Sequence, residues 1–180
     1  AMVTRLVGHK GVDLVRAVAE GLLQQGIELV ILGSGEAQYE NFFNELCARH
    51  PGRVGVYIGF DAQLAQRIYS GADIFLMPSR SEPCGLAQMV SCRYGTIPVV
   101  RETGGLRDSI HDSGDGFGNG FTFANYNAHE LYEACWRAKE GYWQKDGWPI
   151  LVRRAMECDF SWANSARSYE GLYNEVVNLW

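Results

Sequence analysis

Short apolar runs alternate with stretches of helical periodicity from the start of the chain to about residue 110. Residues 2–7 read as a strand. Val12, Val15, Val18, Ala19 and Leu22 then recur on one face of a helix. Ile27 to Leu32 is a β-branched run closed by Gly33-Ser34-Gly35, and a helix through Phe42, Phe43, Leu46 and Cys47 follows. Val54–Ile58, Ile74–Met77 and Ile97–Val100 are further strands, with helices over Leu64–Tyr69 and around 85–95 between them. This alternation predicts βαβ units, a parallel sheet and helices on both faces. Right-handed crossovers make it a Rossmann-like, doubly wound α/β domain.

The pattern changes after residue 110. His111–Gly120 is rich in Gly and Asp and reads as a loop. Gly120-Phe121-Thr122-Phe123 is predicted as an edge strand. From Ala128 the chain turns helical and aromatic, with Trp136, Trp143, Trp148, Phe160, Trp162, Tyr169, Tyr173 and Trp180, and Ser161 is placed to cap the last helix. These aromatics read as core and interdomain packing, with a glucan-binding platform as the alternative. Ala1 precedes Met2-Val3, which already reads as a strand, so the chain is expected to be a piece of a longer protein.

Composition narrows the class. The 180 residues suffice for one domain with its own core, and 47% hydrophobic with 21% charged residues is ordinary for a globular chain. No apolar run approaches a membrane span. A net charge of −5 gives no basic field for nucleic acid, so an anionic ligand must be held by local cations and helix starts. Five scattered Cys without a C-x-x-C pair predict reduced thiols in a cytosolic protein.

The candidate chemistry sits where strands feed helices, the edge at which open α/β sheets bind ligands. Residues 78–88, Pro-Ser-Arg-Ser-Glu-Pro-Cys-Gly-Leu-Ala-Gln, join the strand at 74–77 to its helix. Glu82 can accept hydrogen bonds from sugar hydroxyls, and the helix start suits phosphate. Arg5 and Lys10 flank the first strand-to-helix turn, where Gly8 and Gly11 allow close approach. They form either a diphosphate clamp or two solvated cations. Gly33-Ser34-Gly35 is part of a dinucleotide fingerprint or a turn that needs glycine. Thr103-Gly104-Gly105-Leu106 again offers flexible amides at the ligand edge. His9 lacks a carboxylate partner in the sequence and reads as a loop histidine. Cys84 has no Cys/His/Asn arrangement around it. Asp112 and Asp115 do not make a metal site.

These segments together resemble the C-terminal half of a bacterial glycogen synthase or plant starch synthase, a two-domain retaining glucosyltransferase of GT-B type. The residues that carry the resemblance are Thr4-Arg5-Leu6-Val7 with Lys10-Gly11, Pro78-Ser79-Arg80 with Glu82-Pro83-Cys84-Gly85-Leu86, Tyr94-Gly95-Thr96-Ile97-Pro98, Thr103-Gly104-Gly105-Leu106, Gly120-Phe121-Thr122-Phe123 and Phe160-Ser161-Trp162. The resemblance implies a nucleotide-sugar-binding domain over 1–180, with the N-terminal acceptor domain absent and the 161–180 helix packed on that missing domain. It implies transfer of glucose from ADP-glucose, or UDP-glucose, to the nonreducing end of an α-1,4-glucan with retention of configuration. Arg5 and Lys10 would hold the diphosphate and Glu82 the donor glucose. Cys84, Gly85, Leu86 and Ala87 would meet sugar and phosphate at the helix start, Phe60 would stack on the base, and Thr103, Gly104 and Gly105 would line the donor site. No cofactor, protein-held metal, nucleic acid or membrane is implied. The expected compartment is the cytoplasm, or the plastid in a plant. Ala87 stands where the family usually has Thr, and Glu102 where it usually has a basic residue. The alternatives are a sucrose or trehalose type of GT-B synthase, or a non-catalytic glucan-binding scaffold.

Overall fold

The structure, a computed structural model, describes residues 1–179. Strand β1 spans Met2–Val3 and helix α1 Val12–Gln24, β2 Leu29–Gly33 and α2 Ala37–Arg49, β3 Val54–Ile58 and α3 Ala62–Gly71. Then come β4 Ile74–Met77 and α4 Ala87–Tyr94, β5 Ile97–Arg101 and α5 Gly104–Ser109, and β6 Phe121–Phe123. The chain ends in α6 Ala128–Tyr142, α7 Gly147–Glu157 and α8 Trp162–Asn178.

All strand pairs are parallel, in two runs of three, β1-β2-β3 and β4-β5-β6. Ala1 stitches the runs together. Its N–H donates to Ile74 O at 2.6 Å, and its carbonyl accepts from Leu76 N at 2.8 Å. The strand order is therefore 3-2-1-4-5-6, a doubly wound sheet whose direction of winding reverses between β1 and β4. β6 lies at an edge, as predicted, although all three of its residues are buried.

The first strand is shorter than its apolar pattern implies. Regular pairing stops at Val3, but Thr4 N still donates to Leu32 O at 3.0 Å and Leu6 N to Ser34 O at 2.9 Å. A Cβ on Gly33 would lie 1.8 Å from Thr4 O, and one on Gly35 2.2 Å from Leu6 O. These two glycines thus serve close backbone approach along the frayed strand, which decides for the structural reading of Gly33-Ser34-Gly35. β2 begins two residues later than expected because the Arg53 guanidinium takes the carbonyls of Leu23 and Ile27, at 2.8 and 3.0 Å.

Helix ends follow their local chemistry. Asp61 caps α3 through Leu64 N at 2.9 Å, and Asn127 caps α6 through Glu130 N at 2.8 Å. Ser161 caps α8 through Asn164 N at 3.3 Å, as the sequence predicts. Gly95, at φ 79°, ends α4 before the Ile97-Pro98 strand. α1 packs against α2 and α6, and α4 against α3, α5 and α7, so each face of the sheet is covered. The core joins Val15 and Leu22 of α1 to Ile31 and Val99 in the sheet and Leu131 of α6. α8 differs from every other long helix, because none of its described residues is buried.

Candidate donor-binding site

The winding reversal places two loops side by side. The first follows β1 and tightens into a 3-10 turn at Gly8–Lys10, closed by Gly11 at φ 75°. The second follows β4 and carries Pro78 to Leu86. They lie in backbone contact. Arg80 N donates to His9 O at 2.9 Å, and a Cβ on Gly11 would sit 2.0 Å from Pro78 O. Only glycine fits there, on grounds of both space and conformation.

This contact brings Lys10 and Glu82 together across 72 positions of sequence. Lys10 Nζ lies 2.6 Å from Glu82 Oε2, and both side chains are largely out of water, at 18% and 10% exposure. Ser79 Oγ donates to the same Oε2 at 3.1 Å. Among the described residues Oε1 accepts no hydrogen bond, and two of the three Lys10 ammonium protons are unspent. The pair borders a cavity of about 100 Å³ lined also by Thr4, Gly85, Leu86 and Ala87. Those last three residues open α4, which has no side-chain cap, so its first N–H groups keep their hydrogen-bonding capacity and the positive end of the helix dipole. A carboxylate oxygen, an ammonium and a helix start around one hollow can hold a polyhydroxyl group joined to a phosphate.

Backbone packed behind the Glu82 segment fixes this arrangement. A Cβ on Gly104 would meet Glu82 O at 2.2 Å, and one on Gly105 would meet Cys84 O at 2.0 Å. Gly105 N donates to Glu82 O at 3.1 Å. Thr103-Gly104-Gly105 is therefore not a flexible loop. It is the cap and first turn of α5, packed behind the Glu82 segment, with the Gly105 amide spent on holding it.

Two residues that the sequence reading passed over complete the bracing. Gln88 is fully buried, and its amide donates to Cys84 O at 3.2 Å, Gly85 O at 3.0 Å and Ser109 Oγ at 3.1 Å. Tyr126 reaches from the β6–α6 loop to donate to Asp13 and to Gly8 O, the latter at 3.2 Å, while Arg80 stacks on its ring at 4.5 Å. Burial first, and then the hydrogen bond to Asp13, push its phenol up to about 12. Neither residue shows a sequence signal, because each acts through contacts distant along the chain.

The remaining candidates sit outside the cavity lining. Arg5 is exposed on the same loop, its guanidinium 3.4 Å from His9 Nε2. Phe60 follows Gly59 at the carboxyl end of β3 and is 92% exposed, so it is not a core residue. It stands two strands from β1, a span of roughly 10 Å. The Cys84 thiol is exposed and makes only a long contact to Gly85 O. Glu102 accepts from Thr122 Oγ1 at 2.7 Å and borders a different hollow from that of Lys10 and Glu82. No cluster of three His, Cys, Asp or Glu that could hold a metal occurs among the described residues. No described helix is long and apolar enough to cross a membrane.

The fold and the switch-point hollow define a Rossmann-like domain with a candidate ligand site at its carboxyl edge. Residues 1–142 match the family model described as glycosyl transferases group 1, and the chain belongs to that family. It is 49% identical to a glycogen synthase of Bacillus cereus over 179 residues, which is 98% of this chain and 38% of the relative. It superposes with TM-score 0.87 and 38% identity on the catalytic domain of starch synthase IV from Arabidopsis thaliana bound to ADP and acarbose, covering 98% of this chain and 38% of that one. The fold is shared with sucrose-phosphate synthase from Thermosynechococcus elongatus, at TM-score 0.70 and 20% identity over 99% of this chain and 45% of that one. The chain thus spans less than half the length of these proteins.

Proposed function

We propose that this chain is the nucleotide-sugar-binding half of a glycogen or starch synthase, which transfers glucose from ADP-glucose to the nonreducing end of an α-1,4-glucan with retention of configuration. The observation that carries this reading is the Lys10–Glu82 pair bordering one hollow with the start of α4. The closeness to glycogen synthases and to a starch synthase domain supports the choice among nucleotide-sugar enzymes.

Lys10, aided by Arg5, stabilises the negative charge that grows on the leaving diphosphate, and such preorganised charge is often the largest catalytic contribution. Glu82 Oε1 accepts from donor glucose hydroxyls, while Oε2 stays tied to Ser79 and Lys10. The N–H groups at Gly85 to Ala87 meet sugar and distal phosphate. Phe60, extended into solvent, stacks on the base. Thr103 and Gly104 shape the floor behind Glu82. The acceptor glucan is held by a further domain, and α8 is the element that packs on it.

Calorimetric titration of this chain with ADP-glucose, UDP-glucose and NAD tests the reading. Binding of a nucleotide sugar that Lys10→Ala weakens is the expected result. A response to NAD alone would sink it. The chain by itself is expected to give no measurable incorporation of labelled glucose into glycogen, because one wall of the cleft does not assemble the catalytic groups.

A further inference from the structure

A second hollow lies far from the Lys10–Glu82 edge. It occupies about 510 Å³ between α6, the start of α7 and the 113–116 turn, a size within the usual range for small-molecule sites, roughly 300–1,000 Å³. Phe121, the first residue of β6, forms part of its wall, so it lies by the amino end of an edge strand, opposite the donor edge. Its other walls carry Trp136, Trp148, Arg137, Gln144 and Arg154.

The chemistry of this lining is mixed. Trp136 is 40% exposed, with Lys139 over its ring at 4.6 Å, and Trp148 is half-buried. The Arg137 guanidinium is neutralised by Asp112, with both carboxylate oxygens at 2.8 Å. Glu140, also in the lining, lies 3.8 Å from Lys139 Nζ, and the lining carries Arg137 and Arg154 against this one carboxylate and that of Asp112 beside it. The hollow therefore offers aromatic surface and hydrogen-bonding groups without a net field for an anion. Arg154 donates through one terminal nitrogen to Gly116 O, and its buried Nε–H has no acceptor among the described residues. Buried donors without partners are rare enough to call for an explanation.

We propose that this trough binds a short segment of α-glucan as an anchoring site separate from the donor edge. Pyranose C–H faces pack on the indoles, and hydroxyls pair with Gln144, Glu140 and Arg154. The inference rests on the proposed function only for the identity of the ligand. An anchor of this kind raises the local concentration of chain ends around the domain, because a polymer held at one point is confined near the rest.

The test is titration of the chain with maltotriose and maltoheptaose, read by tryptophan fluorescence and calorimetry. Maltoheptaose should bind the unmodified chain and Lys10→Ala alike. Trp136→Ala should weaken binding roughly tenfold or more, as for loss of an aromatic anchor. Gln144→Ala, at an exposed position, should weaken it by a smaller factor. No binding at millimolar maltoheptaose, or unchanged affinity in both variants, overturns the proposal. Glucan binding that depends on Trp136, without any response to ADP-glucose, would sustain the trough while removing the donor reading. Donor binding without glucan binding would do the reverse.

Discussion

The 78–88 loop and α8 are opposites. The loop has irregular backbone yet is tied down on every side, by Ser79, Arg80, Gln88, Gly105 and the turn at Gly11. α8 is regular over 17 residues and well capped, yet buries none of its described residues and leaves Trp162 89%, Tyr173 64% and Val177 72% exposed. Regular backbone and fixed position are thus separate properties. Backbone hydrogen bonds alone make a helix, but a long helix owes most of its stability to packing of its apolar face. The loop gains rigidity from tertiary contacts that its local sequence cannot supply, whereas the helix buries none of its described residues.

The sharpest way to break this contrast is at the ion pair. In a longer form of the protein that turns over, Lys10→Ala and Glu82→Ala should each lower the rate by about 10²–10³, as for loss of a preorganised charge. Cys84→Ser should act far more weakly, because only the backbone of Cys84 is engaged. Steady-state incorporation of labelled glucose decides. The inverse ranking would refute the assignment of roles.

Next in size is the backbone interlock. Gly105→Ala puts a methyl 2.0 Å from Cys84 O, so it should cost about 3 kcal/mol and loosen the loop. Urea unfolding, together with loss of nucleotide-sugar binding, measures both. An unchanged midpoint would show that the loop yields easily.

Tyr126→Phe should cost about 1 kcal/mol by removing the hydroxyl shared with Gly8 and Asp13. Its pH dependence has a definite sign. The folded phenol ionises near 12, above its usual range of about 10, so the folded state keeps a proton that the unfolded chain loses. The Tyr126 contribution is full below pH ~10 and fades as pH rises towards 12. Stability measured from pH 8 to 12 should fall less steeply in Tyr126→Phe.

The smallest effect belongs to α8. Ending the chain after Ser161 should shift the melting temperature of this domain by only about 2 °C or less, since none of the described residues of α8 is buried. A large drop would mean that the helix packs in solution. A truncated chain should also self-associate less, because exposed apolar faces favour association.

Much of this was legible in the sequence. β3 and β4 fall on their predicted residues, because short apolar runs between turn signals have few alternatives. Lys10 and Glu82 were legible as candidates, since each follows a strand at the ligand edge. Their direct pairing was not, because local spacing says nothing about residues 72 positions apart. The same holds for Gln88 and Tyr126, whose importance lies in what they touch. Thr103-Gly104-Gly105 read as flexible because glycine permits both freedom and close contact, and here it is contact that the fold uses. The aromatic tail was legible as helix but divides in space. Trp148 packs on the core, whereas Trp143 and Trp162 face solvent. The expectation for Trp180 lies outside the described residues.

The meeting of Gly104 and Gly105 with the carbonyls of Glu82 and Cys84 has a consequence for anyone who would rebuild this protein. The two segments are one part in two pieces. A graft of residues 78–88 into another parallel-sheet domain would bring the carboxylate but not its seat, and a host with larger residues after the next strand would push the loop aside. Transplanting 78–88 together with 103–106 should move the site as a unit. Directed variation of either segment alone should return mostly dead ends, and paired libraries should return survivors.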